Sequence, residues 1–345
     1  MKYEHVLAYV SDTIWSIEAS KLRMICAVLA SRVAGEEIDA EAIEAVVAAS
    51  RRPEPPRSGA AVAVIPIYGV IGHRAASMSK ASGGTSTEAL TQVFRQAMAD
   101  PSVSAIALDI DSPGGTVPGV PELADEMYRA RGRKPVVAVA NSLAASAAYW
   151  LAAQADELVA LPSAQVGSVG VMTSHVDVSE ALAQKGIRVT YLTSARFKAE
   201  GAPEQPLSAE AIAHYQSQID HYHGLFTRAI ARGRGVPVAD ARGERFGEGR
   251  VYNAQEALSR GMIDRIGTLE SVVARLSSGQ WERPMRAEAP SLDVAEIPDA
   301  ALDRIRAAAE TVEIAYTVDK PGFRLKAEPI DPEWAARRRR FALRS

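Results

Sequence analysis

Between residues 61 and 171, short apolar runs alternate with helix-forming stretches, and this alternation constrains the fold more than any other feature. Residues 61–70 (AVAVIPIYGV), 104–110 (SAIALDI), 135–140 (PVVAVA), 157–162 (ELVALP) and 167–171 (GSVGV) have the length and composition of strands. Residues 87–98, 122–130 and 145–154 read as helices. Strand and helix in succession imply a parallel sheet with right-handed βαβ crossovers. The strands are apolar throughout, so helices are expected on both faces of the sheet. The predicted class is α/β.

The flanks read differently. Residues 1–50 are expected to form an N-terminal helical segment, with Ile14, Ile17, Leu22, Ile25, Leu29 and Val33 along one face. RRPEPPRSG at 51–59 carries three prolines and reads as an exposed linker. Residues 60–278 then form the main domain. Within it, 208–232 is a long helix with Ile212, Tyr215, Ile219, Tyr222 and Phe226 at helical spacing, and 253–259 and 269–276 are short ones. From 279 the pattern weakens, and 279–345 reads as a partly disordered C-terminal extension ending in the Arg337–Arg340 run.

The formal net charge of -3 and the isoelectric point near 6.1 give no global reason to expect a nucleic-acid partner. The Arg337–Arg340 run reads as a solvated tail in preference to a contact with DNA or a protein partner. A single cysteine, Cys26, excludes an internal disulfide framework and fits a reducing compartment. Its simplest reading is a small buried apolar residue. The opening MKYEHVLAYVSDTIW lacks the order of a secretory signal, and no stretch approaches the ~20 apolar residues of a membrane span. A soluble, intracellular protein with no membrane partner is expected.

Two segments carry chemistry. DIDSPGGT (109–116) runs a strand into Pro113, Gly114 and Gly115. Such a bend can aim backbone N–H groups at an oxygen that gains charge, or it can be a plain turn. Its glycine spacing fits neither the dinucleotide nor the P-loop pattern. NSLAASAAYWLAA (141–153) places Ser146 at a helix start between alanines. There the hydroxyl is either a nucleophile favoured by the helix dipole or an N-cap, a role open equally to Ser142. A nucleophilic serine needs a base. None of the six histidines, His5, His73, His175, His214, His221 and His223, sits in a setting prepared for catalysis, and the last three are expected on a helix surface. A histidine triad stays open without support. A lysine made neutral by burial is the alternative, and Lys198, after the strand-like 188–193, is the candidate. Otherwise it is a solvated loop lysine.

Taken in order, five stretches resemble the Ser/Lys signal-peptide-peptidase-A family, and within it the phage head-maturation (capsid assembly) proteases. DSPGGTV (111–117) is similar to the oxyanion loop, SLAASAAYWLAAQAD (142–156) to the nucleophile segment and GSVGVM (167–172) to the Gly-Ser-Ile/Val-Gly-Val motif. The Lys198 segment falls where the family keeps its base, and GRVYNAQEALSRGMIDRIG (249–267) resembles the closing segment. The resemblance spans about residues 58–278 and implies a Clp-protease/crotonase-like fold. It implies Ser146 as nucleophile and Lys198 as general base. It places the N–H of Gly114 or Gly115, with that of Ala147, in an oxyanion hole, and uses the Ser168 hydroxyl to orient the lysine amine. Ala147 and Ala148 replace a Gly-Gly pair found in many cellular relatives, and Ala195 stands where a glycine is common.

The implied reaction is acyl transfer without a cofactor, metal or nucleotide. The implied substrates are capsid and scaffold proteins, the chain itself included, inside a phage prohead in the host bacterial cytoplasm. Relatives form rings, so a homo-oligomer is implied. Two other classes share the fold: a crotonase-type acyl-CoA hydratase or isomerase, which needs catalytic carboxylates, and an inactive scaffold.

Overall fold

The structure is a computed structural model that describes residues 13–23, 61–74 and 84–284. The chain divides into two units, Met1–Ala289 and Pro290–Ser345, and the described residues all belong to the first. In chain order they give β1 (Trp15–Ile17), β2 (Ala61–Tyr68), β3 (Ile71–Gly72), β4 (Thr85–Ser86), α1 (Thr87–Ala99), β5 (Val103–Ser112) and β6 (Gly114–Thr116). Then come α2 (Val120–Ala130), β7 (Val136–Ala145), α3 (Ala147–Ala152), β8 (Glu157–Ala160), β9 (Gln165–Gly167), α4 (Ser179–Gln184) and α5 (Ala209–Arg234). The remainder is α6 (Val238–Arg242), β10 (Val251–Asn253), α7 (Ala254–Ser259), β11 (Arg265–Ile266) and α8 (Leu269–Ser277).

The main sheet runs β10-β9-β7-β5-β2, with β8 also on β7 and β11 on β8. Every pairing in it is parallel except β10 with β9. The α/β class and the parallel sheet expected from the sequence are what the chain forms. Residues 105–110 of β5 are all buried, and successive side chains point to opposite faces. Ile106, Leu108 and Ile110 join the larger core with Phe94 of α1, Leu123 of α2 and Phe226 of α5. Ala105 and Ala107 join the smaller one, closed by Val272 and Leu276 of α8. Both faces are therefore covered, which is why the strands lack alternation.

The helices start and stop where local chemistry directs. Ser86 caps α1 by accepting from the Ala89 amide. Ser208 caps α5, and Gly235, at a φ of 67°, ends it. The α5 side chain Phe226 stacks on Trp150 of α3, with centroids 4.4 Å apart. Arg131 donates to the carbonyls of Ala153, Gln154, Ala155 and Gly233 and so fixes the end of α3. Buried Arg234 holds Asp264 through two bonds of 2.8 Å, and Asp264 accepts from the Leu158 amide at the start of β8.

The second sheet has four strands, β1-β6-β3-β4, with β1 antiparallel to β6. It corrects the N-terminal expectation, because Ile14 and Ile17 do not lie on a helix face. Trp15–Ile17 is a strand with ladder partners on both sides, and pairing overrides a spacing that either structure could satisfy. Three other differences bear on the site. β7 runs to Ala145 in place of ending at Ala140, because β9 takes over as its neighbour where β8 leaves off. GSVGV is not one strand, since β9 stops at Gly167 and Ser168 turns the chain at a φ of 53°. Residues 188–193 form no strand and lie exposed. The helical reading of 24–50, Cys26, the 51–59 linker and residues 285–345, Arg337–Arg340 among them, lie outside the described residues. Among the described residues no helix is long and apolar enough to cross a membrane.

Candidate active site

Ser146 stands at the turn from β7 into α3, with φ 56° and ψ −118°. For a residue with a Cβ such a conformation costs on the order of 1–3 kcal/mol and persists only where the surroundings enforce it. Here they do. The Ser146 amide donates to the Gly167 carbonyl at 2.8 Å, and its carbonyl accepts from Trp150 at 2.8 Å. Ala144, Ala145, Ala147 and Ala148 are all fully buried, so larger side chains would not fit. The Ser146 hydroxyl makes no capping bond, and Ser142 lies exposed within β7, so neither serine acts as an N-cap. Instead the turn leaves the hydroxyl pointing away from the helix it begins.

The glycine bend faces this turn. Gly114 has a φ of 94°, and a Cβ there would collide with the Ser16 carbonyl and lie 2.9 Å from both the Ala145 oxygen and the Ala147 nitrogen. A Cβ on Gly115 would overlap the backbone of Ile71. Both positions need glycine for close approach. The two amides have different roles. Gly114 N–H donates to Ser112 Oγ at 3.1 Å, and that hydroxyl donates to the Gly69 carbonyl at 2.6 Å. With the Gly114 amide tied to Ser112, the donors available to an oxyanion are Gly115 and the first amide of α3, Ala147.

Among the described residues, two atoms lie within hydrogen-bond reach of the Ser146 hydroxyl. Ser16 Oγ is 2.8 Å away and the Gly170 carbonyl 3.4 Å. Ser16 is the site residue that the sequence did not reveal. Its only signal is a small polar residue between two bulky apolar ones, Trp15 and Ile17. Glu18 closes the turn after β1, accepting from the amides of Ser20 at 3.0 Å and Lys21 at 3.3 Å. Burial pushes its carboxyl up, but the Ser20 hydroxyl and these amides outweigh burial and hold it below the usual value.

Ser168 is buried next to Gly167, which the Ser146 amide bonds, and its own amide donates to the Arg250 carbonyl at 2.7 Å. It lines a groove of about 430 Å³ with Ile17, Gly170, Met172, Asp220 and His223. His223, expected at the surface, is half-buried there. Burial and then the Arg242 charge lower its pKa, which favours the neutral ring.

Lys198 is elsewhere. It is exposed, and among the described residues its amine bonds neither Ser146 nor Ser168. Residues 183–198 are exposed without a break. This arm presents Ile187, Val189, Tyr191, Phe197 and Leu192, the last 95% exposed. The structure therefore brings together Ser146, Gly114, Gly115, Ala147 and Ser168, and does not bring the expected base to them within one chain.

A serine forced to a positive φ against a glycine bend is an arrangement suited to a serine hydrolase that works by acyl transfer. The comparisons narrow this class: residues 129–282 match Peptidase family S49. It is 32% identical over 68% of its length to Head-tail preconnector protein GP5 of Enterobacteria phage P21, covering 46% of that protein. It is 29% identical over 78% of its length to Capsid assembly protease C of Escherichia phage lambda, covering 66% of that protein. Both relatives thus extend beyond the part this chain matches. A solved structure, a single-residue mutant of ClpP1 from Listeria monocytogenes, is similar at a TM-score of 0.39 and 15% identity, over 60% of this chain and 92% of that one.

Proposed function

We propose that this chain is a serine endopeptidase of phage prohead maturation, cleaving capsid and scaffold proteins and its own chain, with residues 60–278 as the peptidase domain. The observation that carries the reading is the strained Ser146 turn, with the Gly114 bend packed against Ala145 and Ala147 on either side of it. The likeness to phage proteins named for capsid assembly and the head-tail preconnector supports the setting, the prohead interior in the host cell.

In the proposed mechanism, neutral Lys198 takes the proton of Ser146, whose oxygen attacks the scissile carbonyl. The Gly115 and Ala147 amides hold the oxyanion. Lys198 then protonates the leaving amine, and water releases the acyl group. Ser168 orients the lysine amine. Since Lys198 lies on an arm that exposes large apolar side chains, Leu192 foremost, a second copy is the natural occupant of that arm. Burying Leu192 and Phe197 between copies would carry one chain's Lys198 to its neighbour's Ser146 and exclude water from the amine. A homo-oligomer is then a condition of activity.

The test is fluorophosphonate labelling of the full chain alongside cleavage of capsid and scaffold protein. Both are expected in the native chain and absent in Ser146→Ala. Processing that persists in Ser146→Ala removes the nucleophile from the account.

A further inference from the structure

We propose that Trp15–Ile17 is a built-in occupant of the substrate groove, holding the peptidase inactive until a protein substrate displaces it; this rests on the peptidase reading of Ser146. Three features of β1 carry the inference.

The first is its backbone. β1 lies between β6 and the segment around Met172, and bonds to both. Trp15 and Met172 exchange amide bonds of 2.8 and 2.9 Å. On the other side, Glu18 donates to Pro113 at 2.7 Å and Val117 to Ile14 at 3.3 Å. Ser16 pairs with Gly115 midway between these two. Antiparallel pairs alternate, so Ser16 and Gly115 form the bonded pair and the Gly115 amide meets the Ser16 carbonyl. A peptide bound by strand addition uses such main-chain bonds.

The second is where that carbonyl lies. The point that a Gly114 Cβ would occupy is touched by both the Ser16 oxygen and the Ala147 amide. The Ser16 carbonyl therefore sits among the donors assigned to the oxyanion, and its side chain lies against the Ser146 hydroxyl at 2.8 Å. The third is the anchoring. Trp15, Ile17 and Leu22 are buried as a small cluster of their own, against Val70 and Met172. With β1 in place Ser146 is 0% exposed, and no second peptide can reach it.

β1 also describes what the groove accepts. An extended chain antiparallel to β6, with a small residue over Ser146 and bulky apolar residues on either side, would replace it. The alanines around Ser146 leave no room for more than a small side chain at the centre.

The experiment uses the full chain and reads the rate of fluorophosphonate labelling at Ser146. Trp15→Ala/Ile17→Ala, which loosens the anchors, is expected to label about tenfold faster or more, because the groove's open fraction limits the native rate. Ser16→Arg, which cannot sit against Ser146, is expected to act alike and stands in if the double variant fails to fold. A synthetic peptide of residues 12–22 (DTIWSIEASKL) is expected to slow the loosened variants and to leave the native chain nearly unchanged. Equal labelling of native and folded loosened chains overturns the occupancy while leaving the peptidase reading intact. So does a peptide without effect, or a purified native chain that begins at Ile17, since β1 would then be a substrate. No labelling in any chain overturns the peptidase reading together with this one.

Discussion

Residues 144–160 are all buried, while residues 183–198 are all exposed. The first stretch holds the proposed nucleophile and the second holds the proposed base. Around Ser146 the backbone is tied to Gly167, Trp150 and the glycine bend, and Tyr149 and Gln154 bond further elements at Met262 and Ala229. Around Lys198 the bonds are local turns such as its own amide to Ala195, with Arg196 reaching Glu210 on the helix that follows. A nucleophile must hold a costly conformation, and only a dense surround can impose it. A base that arrives from a neighbouring copy needs a surface that stays open until assembly. On the proposed account, the contrast separates what one chain builds from what association completes.

The largest effect tests the buried side. Ser146→Ala is expected to lower turnover by about 10⁶-fold with the melting temperature retained, as for a nucleophile acting in a unit with its base. Residual peptidase activity near the native level would move the nucleophile elsewhere. Lys198→Ala tests the exposed side. Loss of a general base is expected to cost about 10²–10⁴ in turnover, again without unfolding, because that side chain lies exposed. An unchanged pH–rate profile in this variant would end its assignment.

Smaller effects separate scaffold from arm. Arg234→Ala leaves Asp264 buried without its partner and is expected to destabilise the domain by about 3–5 kcal/mol, read from chemical denaturation. Leu192→Asp sits on the arm and is expected to change the isolated chain's stability by no more than about 0.5 kcal/mol. It should nevertheless lower the assembled mass in light scattering, and activity with it. If Leu192→Asp unfolds the chain, or leaves the assembly unaltered, the arm is not the surface that joins copies.

Much of this was legible in the sequence, for physical reasons. Apolar runs such as SAIALDI mark strands buried on both faces, and the alanines of 144–148 mark the crowded turn at Ser146. Gly114 and Gly115 are needed where backbone meets backbone, a demand that glycine alone satisfies. The illegible parts depend on partners distant in sequence. Ile14 and Ile17 satisfy a helical spacing, and nothing local shows that β6 and Met172 will take the Trp15–Ile17 backbone as a strand. The choice between Gly114 and Gly115 as donor depends on Ser112, whose hydroxyl captures one amide. His223 reads as a surface residue because its helix is polar there, yet Arg242 and the groove enclose it. The Lys198 arm carries no pattern that distinguishes a loop from an interface.

The most direct measurement is the turnover of assemblies made by co-expressing Ser146→Ala and Lys198→Ala chains. If each site draws its serine from one copy and its lysine from the next, an equal mixture should recover about one quarter of native activity, since that fraction of neighbouring pairs carries both groups. Mixed assemblies of native size with no activity above either parent would contradict the account.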